Sequence, residues 1–320
     1  MKALVTGAAG FMASRLVDLL LERPDLERLV LLDMVEAQAP RDDRVEVVVA
    51  DVADIGSHID SDGLSVFHLA SPPSAAAEAD FDAALRSNVD GLRALLDALR
   101  EREGSRLVLT SSLGVYGGAD MPTVVAEGTR HNPQTTYGMT KAVGELLIND
   151  YARRGLVDAR GARLPAMVVR PGAPSAAISA YASSIVREPL AGRPYVVPVG
   201  YDVCVPVIGY RTVAATLLYL HDIDADRLGD DRTVLCPGVS ATVRDLIDSV
   251  HRVAGDRPLA ELEVKPDPAV DEIASKWMRE TDATRALELG FPADADIDSI
   301  VRAYIEDYVD DATPGGAPQP

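Results

Sequence analysis

Along the first half of the chain, short apolar runs rich in β-branched residues alternate with longer stretches whose apolar positions recur at helical spacing. Ala3–Val5, Leu29–Leu32, Val45–Val49, Ser65–His68, Leu107–Thr110 and Met167–Arg170 predict strands. Phe11–Leu21, a stretch around Phe81–Arg100 and another from Thr136 to Arg154 predict helices. Strands that are apolar almost throughout are buried on both faces, as in a parallel sheet covered by helices on either side. With right-handed crossovers this is an α/β fold, a doubly wound parallel sheet of the Rossmann type, over residues 1–171.

Beyond Pro171 the alternation breaks. Residues 172–205 are rich in Pro, Gly, Ser and Ala. Later residues mix helices (Arg211–Leu220, Val243–Val253, Ile297–Tyr308) with short strands such as Thr233–Cys236. Residues 172–310 therefore read as mainly a smaller C-terminal substrate lobe, some of whose segments return to the sheet. The tail 311–320, with Pro and Gly and no apolar period, is expected to be disordered.

Composition narrows the function classes. The 320 residues are 47% hydrophobic, enough for a sizeable core, and the net charge is −19. Such acidity argues against nucleic-acid or anionic-membrane partners, and no run of 18 apolar residues suggests a membrane span. The N-terminus meets a Gly turn and then Arg15, Asp18 and Glu22, so no secretory pattern is read there. Cys204 and Cys236 form no CxxC and have no His at ligand spacing; buried thiols of a cytoplasmic protein are expected, with no metal.

Two motifs carry chemistry. Gly7-x-x-Gly10-x-x-Ala13 lies between the first strand and the first helix. Such a turn lets backbone approach a pyrophosphate at a helix N-terminus, with Ala13 where close helix–strand packing is needed. Asp33 ends the second strand 20 residues after Ala13, where a carboxylate bonds ribose hydroxyls and repels a 2′-phosphate. NAD is thus expected rather than NADP, with Asp51 and Val52 within reach of the adenine. The second motif is Tyr137-x-x-x-Lys141, in a chain with only four Lys. On a helix this spacing makes the two side chains neighbours, and an ammonium beside a phenol favours the phenolate. Tyr137 is expected to act as an acid–base group with its pKa lowered by Lys141. Ser111-Ser112 follows the fifth strand, at the edge where open α/β sheets bind ligands. His68 reads as a satisfied core or cofactor-edge residue, and Trp277 as lobe packing.

Thr6-Gly7-Ala8-Ala9-Gly10-Phe11, His68-Leu69-Ala70-Ser71, Asn88-Val89-Asp90-Gly91, Thr110-Ser111-Ser112-Leu113-Gly114-Val115-Tyr116-Gly117 and Tyr137-x-x-x-Lys141 occur in that order. Together they resemble the extended short-chain dehydrogenase/reductases, the epimerase/dehydratase branch. The resemblance implies that Ser112, not Ser111, is catalytic beside Tyr137 and Lys141. It implies cofactor contacts at Gly7, Gly10, Phe11, Met12, Leu69, Ala70, Ser71, Asn88 and Pro171, besides Tyr137 and Lys141, the lysine holding the nicotinamide ribose. It places substrate near Ser74, Ser112, Leu113, Tyr137 and Ser175, and implies a homodimer through the helices at 81–100 and 137–154. Asn149-Asp150-Tyr151, Arg163-Leu164-Pro165, Arg170-Pro171-Gly172 and Leu289-Gly290-Phe291-Pro292 extend the similarity to members that oxidise a small 2-hydroxy sugar acid such as D-erythronate next to its carboxylate. The chain departs from them at Pro72-Pro73, at Ala173-Pro174-Ser175, where they carry Lys-Pro-Asn, and within 195–210.

Hydride transfer on a secondary alcohol or ketone is the leading reading. A nucleotide-sugar epimerase with tightly bound NAD is a second, although Arg170-Pro171-Gly172 lacks the Phe-Asn-type run of such enzymes. Ser111-Ser112, in place of an Asp/Glu pair, disfavours a dehydratase. A non-catalytic NAD(H) sensor is a third, opposed by the presence of both Tyr137 and Lys141.

Overall fold

The computed structural model describes residues 1–172 and 177–310; Ser175 and the tail 311–320 lie outside them. In chain order the strands are β1 (Lys2–Thr6), β2 (Arg28–Asp33), β3 (Val45–Val49), β4 (Leu64–His68), β5 (Arg106–Ser112), β6 (Val124–Ala126), β7 (Asp158–Leu164), β8 (Ala166–Val168), β9 (Tyr195–Val197), β10 (Cys204–Gly209), β11 (Thr233–Leu235), β12 (Val239–Thr242), β13 (Leu262–Val264) and β14 (Glu280–Asp282). Seven of them form one parallel sheet in the order β3-β2-β1-β4-β5-β7-β11. The reversal on either side of β1 is that of a doubly wound α/β fold, as the hydrophobic pattern predicts.

Alternation along each strand sends side chains to two cores. Val5, Leu31, Phe67 and Val108 meet helices α1 (Phe11–Leu21) and, later in the chain, Tyr210–Asp222, through Leu16, Leu20, Leu217 and Leu220. Leu4, Val30, Leu32, Val66, Leu107 and Leu109 meet the other layer, through Leu92, Leu95, Leu96, Leu99 and Ile148. With both faces covered, neither can be polar, so the strands show no polar period. The helices covering the second of these faces are α4 (Gly91–Leu99) and α5 (Thr136–Arg153), with α2 (Ser74–Ala79) and α3 (Phe81–Leu85) packed against α5. The expected single helix over 81–100 is α3 and α4 joined by a wide π-type turn, Arg86–Asp90, which carries Asn88.

One strand differs from expectation. The strand beside β5 is β7, Asp158–Leu164, and not Met167–Arg170; that segment supplies β8, which pairs with β10 in a separate sheet ordered β12-β10-β8. β7 escapes a hydrophobic scan because its sequence is Asp-Ala-Arg-Gly-Ala-Arg-Leu. Its small residues are forced by crowding: a Cβ on Gly161 would stand 2.7 Å from Thr233 Oγ1 and 2.9 Å from Ile148 Cδ1. Its two arginines are buried and fully used. Arg160 forks onto Asp158 (3.0 and 2.8 Å) and donates through Nη1 to the carbonyls of Leu220, His221 and Ile223 (2.7, 2.9 and 2.6 Å). It thereby caps the C-terminus of helix Tyr210–Asp222, where unsatisfied carbonyls favour a cation.

Residues 180 onward add α6 (Ala180–Leu190) and α7 (Tyr210–Asp222). α7 packs on the main sheet, and β11 pairs in parallel with β7, so this half of the chain contributes to the central layer. α6, β10, β12 and the helices Val243–Ala254 and Ile297–Ile305 share another core, which includes Tyr181, Ile185, Val207, Leu246, Val250 and Val301. Arg160→Ala should lower stability by about 3 kcal/mol, since it removes the Arg160 donor from the Leu220 and Ile223 carbonyls and one of three arginines from Asp158, although Arg106 still serves the His221 carbonyl. A urea midpoint equal to that of the parent would show that the cap does not contribute.

Candidate active site

Parallel strands bring their carboxyl ends to one edge, and register decides which residues share it. Thr6 is level with Leu32 and His68, His68 with Leu109, and Ser112 with Leu164. The loops leaving these positions build the cleft.

At its first wall Gly7 has φ +71°, and a Cβ there would stand 2.6 Å from the Ala70 nitrogen. Glycine thus lets the β1 loop touch the β4 loop, which is tied back by Leu69 N–H donating to Thr6 O (3.1 Å) and Ala70 N–H to Thr6 Oγ1 (3.4 Å). Gly10 occupies the N-cap of α1 without a side-chain cap, and the first turn carries no acid. The N–H groups and dipole of that turn remain available to an anion. Asp33 braces this turn: its Oδ2 accepts from Ala9 N–H (3.0 Å) and its Oδ1 from Val35 N–H (3.3 Å). Asn88 donates Nδ2 to Thr140 Oγ1 (2.9 Å), and its buried Oδ1 has no partner among the described residues. An open helix start, a close backbone approach and a carboxylate at the end of β2 all fit NAD.

Other predicted positions fall into place unevenly. Asp51 uses its carboxylate to cap the following turn at Ala53 N–H (2.9 Å), and Val52 is buried in the core beside Gly91. Phe11 packs on Tyr210 and Tyr308 with ring centroids 5.5 and 6.1 Å away. Met12 is half-buried against the α1 core, and Ser71 donates to Pro72 O at 3.4 Å. Ser74 opens α2, and Pro171 lies beyond the end of β8. The residue level with Ser112 on the neighbouring strand is Leu164, followed by Pro165; the sequence reading quoted both for the resemblance but assigned neither to the site.

Ser112 ends β5 and accepts from Gly114 N–H through Oγ (3.1 Å), while Leu113 turns into a small core with Val115, Tyr116 and Met278. Thr135 caps α5 by accepting from Gly138 N–H (3.0 Å), and Glu78 adds a carboxylate at the same helix start by accepting from Thr136 N–H. That fixes Tyr137 in the first turn of α5, where it meets the Ser112 hydroxyl. Lys141, one turn on, donates to Thr110 O (2.9 Å), with Nζ 5.5 Å from the Tyr137 ring centre. Ser112, Tyr137 and Lys141 therefore come together.

The electrostatics differ from the expected lowered phenol. Burial pushes the Tyr137 pKa up, against the opposing pull of the Ser112 hydrogen bond and the Arg170 charge. Burial also brings the Lys141 ammonium down to about 8, against the favourable field of Glu145. A desolvated cation and a desolvated phenol each resist charging, and desolvation is the first cause of both shifts. His68 is pushed down to about 3 by burial and then by Lys141; with Nδ1 2.8 Å from Thr6 Oγ1, it remains a neutral core residue.

Beneath the site is a network that sequence reasoning missed. Glu145, one turn beyond Lys141, takes a bidentate pair from Arg163 (3.0 and 2.7 Å) and a hydrogen bond from Ser111. Arg163 Nη1 also donates to Tyr116 Oη (2.7 Å), and His131 Nε2 lies 3.6 Å from Glu145. Strand alternation turns Ser111 inward to this network and leaves Ser112 facing the cleft. The available signal was spacing: Tyr137, Lys141 and Glu145 share one helical face.

Gly138 allows the closest approach in the site, since a Cβ there would stand 2.0 Å from Gly114 O. Gly138→Ala should displace Tyr137 from Ser112 and lower turnover about 100-fold, with NAD affinity, read by fluorescence titration, changed less than about threefold. Gly7→Ala should do the reverse and lose NAD affinity first. Equal loss of both properties in each variant would contradict this division of the cleft.

Residues 3–200 match the NAD dependent epimerase/dehydratase family. The chain is 43% identical over 320 residues to a D-erythronate dehydrogenase of Cupriavidus necator, covering 96% of this chain and 98% of that one. A D-erythronate dehydrogenase of Haemophilus influenzae is 34% identical over 96% of this chain and 99% of its own length. Among solved structures, a protein of Agrobacterium tumefaciens described as a nucleoside-diphosphate-sugar epimerase superposes with a TM-score of 0.90 at 34% identity, covering 97% and 95% of the two chains. The chain thus belongs to the NAD dependent epimerase/dehydratase family, and is an NAD-dependent oxidoreductase of the extended short-chain type acting on a CH–OH group.

Proposed function

We propose that this chain oxidises a small 2-hydroxy sugar acid such as D-erythronate to the 2-keto acid, or runs the reverse reaction, through Ser112, Tyr137 and Lys141. The observation that carries this reading is the 43% identity, across nearly both full lengths, to a protein described as D-erythronate dehydrogenase. The convergence of the three side chains at one sheet edge supports it. Ser112 holds the substrate oxygen, and Tyr137 takes the hydroxyl proton as the carbon–hydrogen bond breaks. Lys141, with a pKa of about 8, carries positive charge near neutrality and favours the phenolate at that moment. NAD, when bound, supplies the hydride acceptor, a nicotinamide ring that is positively charged in its oxidised form. Gly7, Gly10, Phe11 and Met12 would hold its pyrophosphate side and Asp33 its ribose hydroxyls. Leu69, Ala70, Ser71 and Asn88 would line its path, with Leu164 joining them through its place beside Ser112.

A second reading, a nucleotide-sugar epimerase, has in its favour the description of the Agrobacterium protein. It expects NAD retained through purification and no net turnover of added NAD. The assembly is proposed to be a dimer through α3, α4 and α5, where Phe81 and Leu146 are 53% and 70% exposed in the single chain. Leu146→Glu should convert it to a monomer in sedimentation at micromolar concentration; a parent already monomeric there would exclude the dimer.

NAD reduction with D-erythronate, L-threonate, related aldonates and neutral secondary alcohols, each with NAD and NADP, tests the substrate. Activity on neutral alcohols alone would remove the acid, and a preference for NADP would remove the role of Asp33. Tyr137→Phe should lose at least about 1,000-fold in turnover and keep its NAD affinity. Because the Ser112 hydrogen bond favours the phenolate, Ser112→Ala should move the rising limb of the oxidation pH profile to higher pH. An unmoved limb would take Ser112 out of this role.

A further inference from the structure

A carboxylate entering a cleft of this strongly acidic protein needs a cation to meet it. Lys141 is engaged with the Thr110 carbonyl, and Arg163 with Glu145 and Tyr116. Arg170 is different: it is exposed, and among the described residues its guanidinium donates to no carboxylate or carbonyl.

Its main chain, by contrast, is held on both sides. Arg170 N–H donates to Ser183 Oγ (3.1 Å), and its carbonyl accepts from Arg187 Nη1 (2.7 Å). Both partners lie on α6 and are buried. Arg187 is itself anchored, by Glu188 (2.6 Å) and Ser184 (2.9 Å), and Glu188 by Arg193 (2.6 Å). A buried Arg–Glu pair costs desolvation, and the hydride-transfer chemistry has no use for this one. Its work is at the Arg170 carbonyl, which it locks in place. Pro171 then restricts the backbone, and Gly172 turns it at φ +85°. Among the described residues the unpaired part of Arg170 is its guanidinium, while its main-chain N–H and carbonyl are both held. The Arg170 charge favours the Tyr137 phenolate, so it lies within electrostatic range of the oxygen that takes the substrate proton. In a 2-hydroxy acid the carboxylate is one bond from the reacting carbon, and it must therefore lie within that same range.

We propose that Arg170 is the specificity-determining residue that recognises the substrate carboxylate, its planar fork pairing with the two oxygens. This rests on the 2-hydroxy acid reading above, and it offers the cation that the Ala173-Pro174-Ser175 departure removes from this segment.

The test compares D-erythronate with its neutral amide on the full-length enzyme, the parent against Arg170→Gln and Arg170→Lys. For Arg170→Gln, kcat/KM for the acid should fall about 100-fold, mostly through KM, while that for the amide changes less than about threefold. Arg170→Lys should recover about tenfold of the loss, as a point charge without the fork. Equal effects on acid and amide, or none on the acid, would overturn the assignment while leaving the oxidoreductase reading intact. If the parent oxidises no 2-hydroxy acid, the substrate reading fails instead. Calorimetric binding of D-erythronate to the enzyme with NADH then decides Arg170. Binding weakened at least about 30-fold by Arg170→Gln would support it; unchanged binding, or none to the parent, would overturn it.

Discussion

Glu145 and Arg163 meet in the interior as a bidentate ion pair, one from α5 and the other from β7, and both are almost wholly removed from solvent. Such a pair is costly to desolvate and is tolerable only when the remaining polar valences are filled. Here they are: Ser111 from β5 donates to the carboxylate, and Tyr116 from the following loop takes the third arm of the guanidinium. Four segments are thereby locked to one another beneath the cleft. The consequence is geometric, because Lys141 and Tyr137 lie one and two turns upstream of Glu145 on the same helix and Ser112 is the next residue after Ser111. A register slip on β7 or β5 would break the pair, so the pair and the placement of Ser112, Tyr137 and Lys141 depend on one another.

Burial dominates the electrostatics of the cleft. It holds the Tyr137 phenol above its ordinary range, against the ionised form that proton abstraction demands, whereas the Lys141 ammonium, brought down to about 8, keeps its charge near neutrality. The Ser112 hydroxyl and the Arg170 charge favour the phenolate, and Lys141 Nζ lies 5.5 Å from the ring centre. A desolvated site strengthens each such interaction, so modest rearrangement on binding can shift the proton.

The later part of the chain is more than an appended lobe. Its helix α7 shares the core of α1, and its C-terminal aromatics reach the dinucleotide turn. Tyr210 and Tyr308 enclose Phe11, and Arg15 of α1 lies over the Tyr308 ring at 4.9 Å. The start of α1, which would hold the pyrophosphate, is thus buttressed by residues nearly 300 positions away in sequence.

Most of the sheet was legible in the chain because a strand buried on both faces has to be apolar, and β1 to β5 are. The Gly7 turn, Asp33 and the Tyr137–Lys141 spacing were legible for a related reason: a tight turn, a strand end and a single helical turn are local geometries that nearby residues determine. β7 was not, because its burial is achieved with Ala, Gly and two paired arginines, and nothing in Asp158–Leu164 alone announces that Asp158 and Glu145 will neutralise them. The same limit hid Glu145, the neighbour relation of Leu164 to Ser112, and the anchoring of Arg170 by α6. The phenol pKa was misjudged because spacing reports the nearness of an ammonium but not the loss of water around it. Local spacing and apolar continuity thus determined the fold class and put Tyr137 and Lys141 on one helical face. Which charges are paired, which are left free and how far each is desolvated was decided by contacts between distant segments, and only the tertiary structure supplies those.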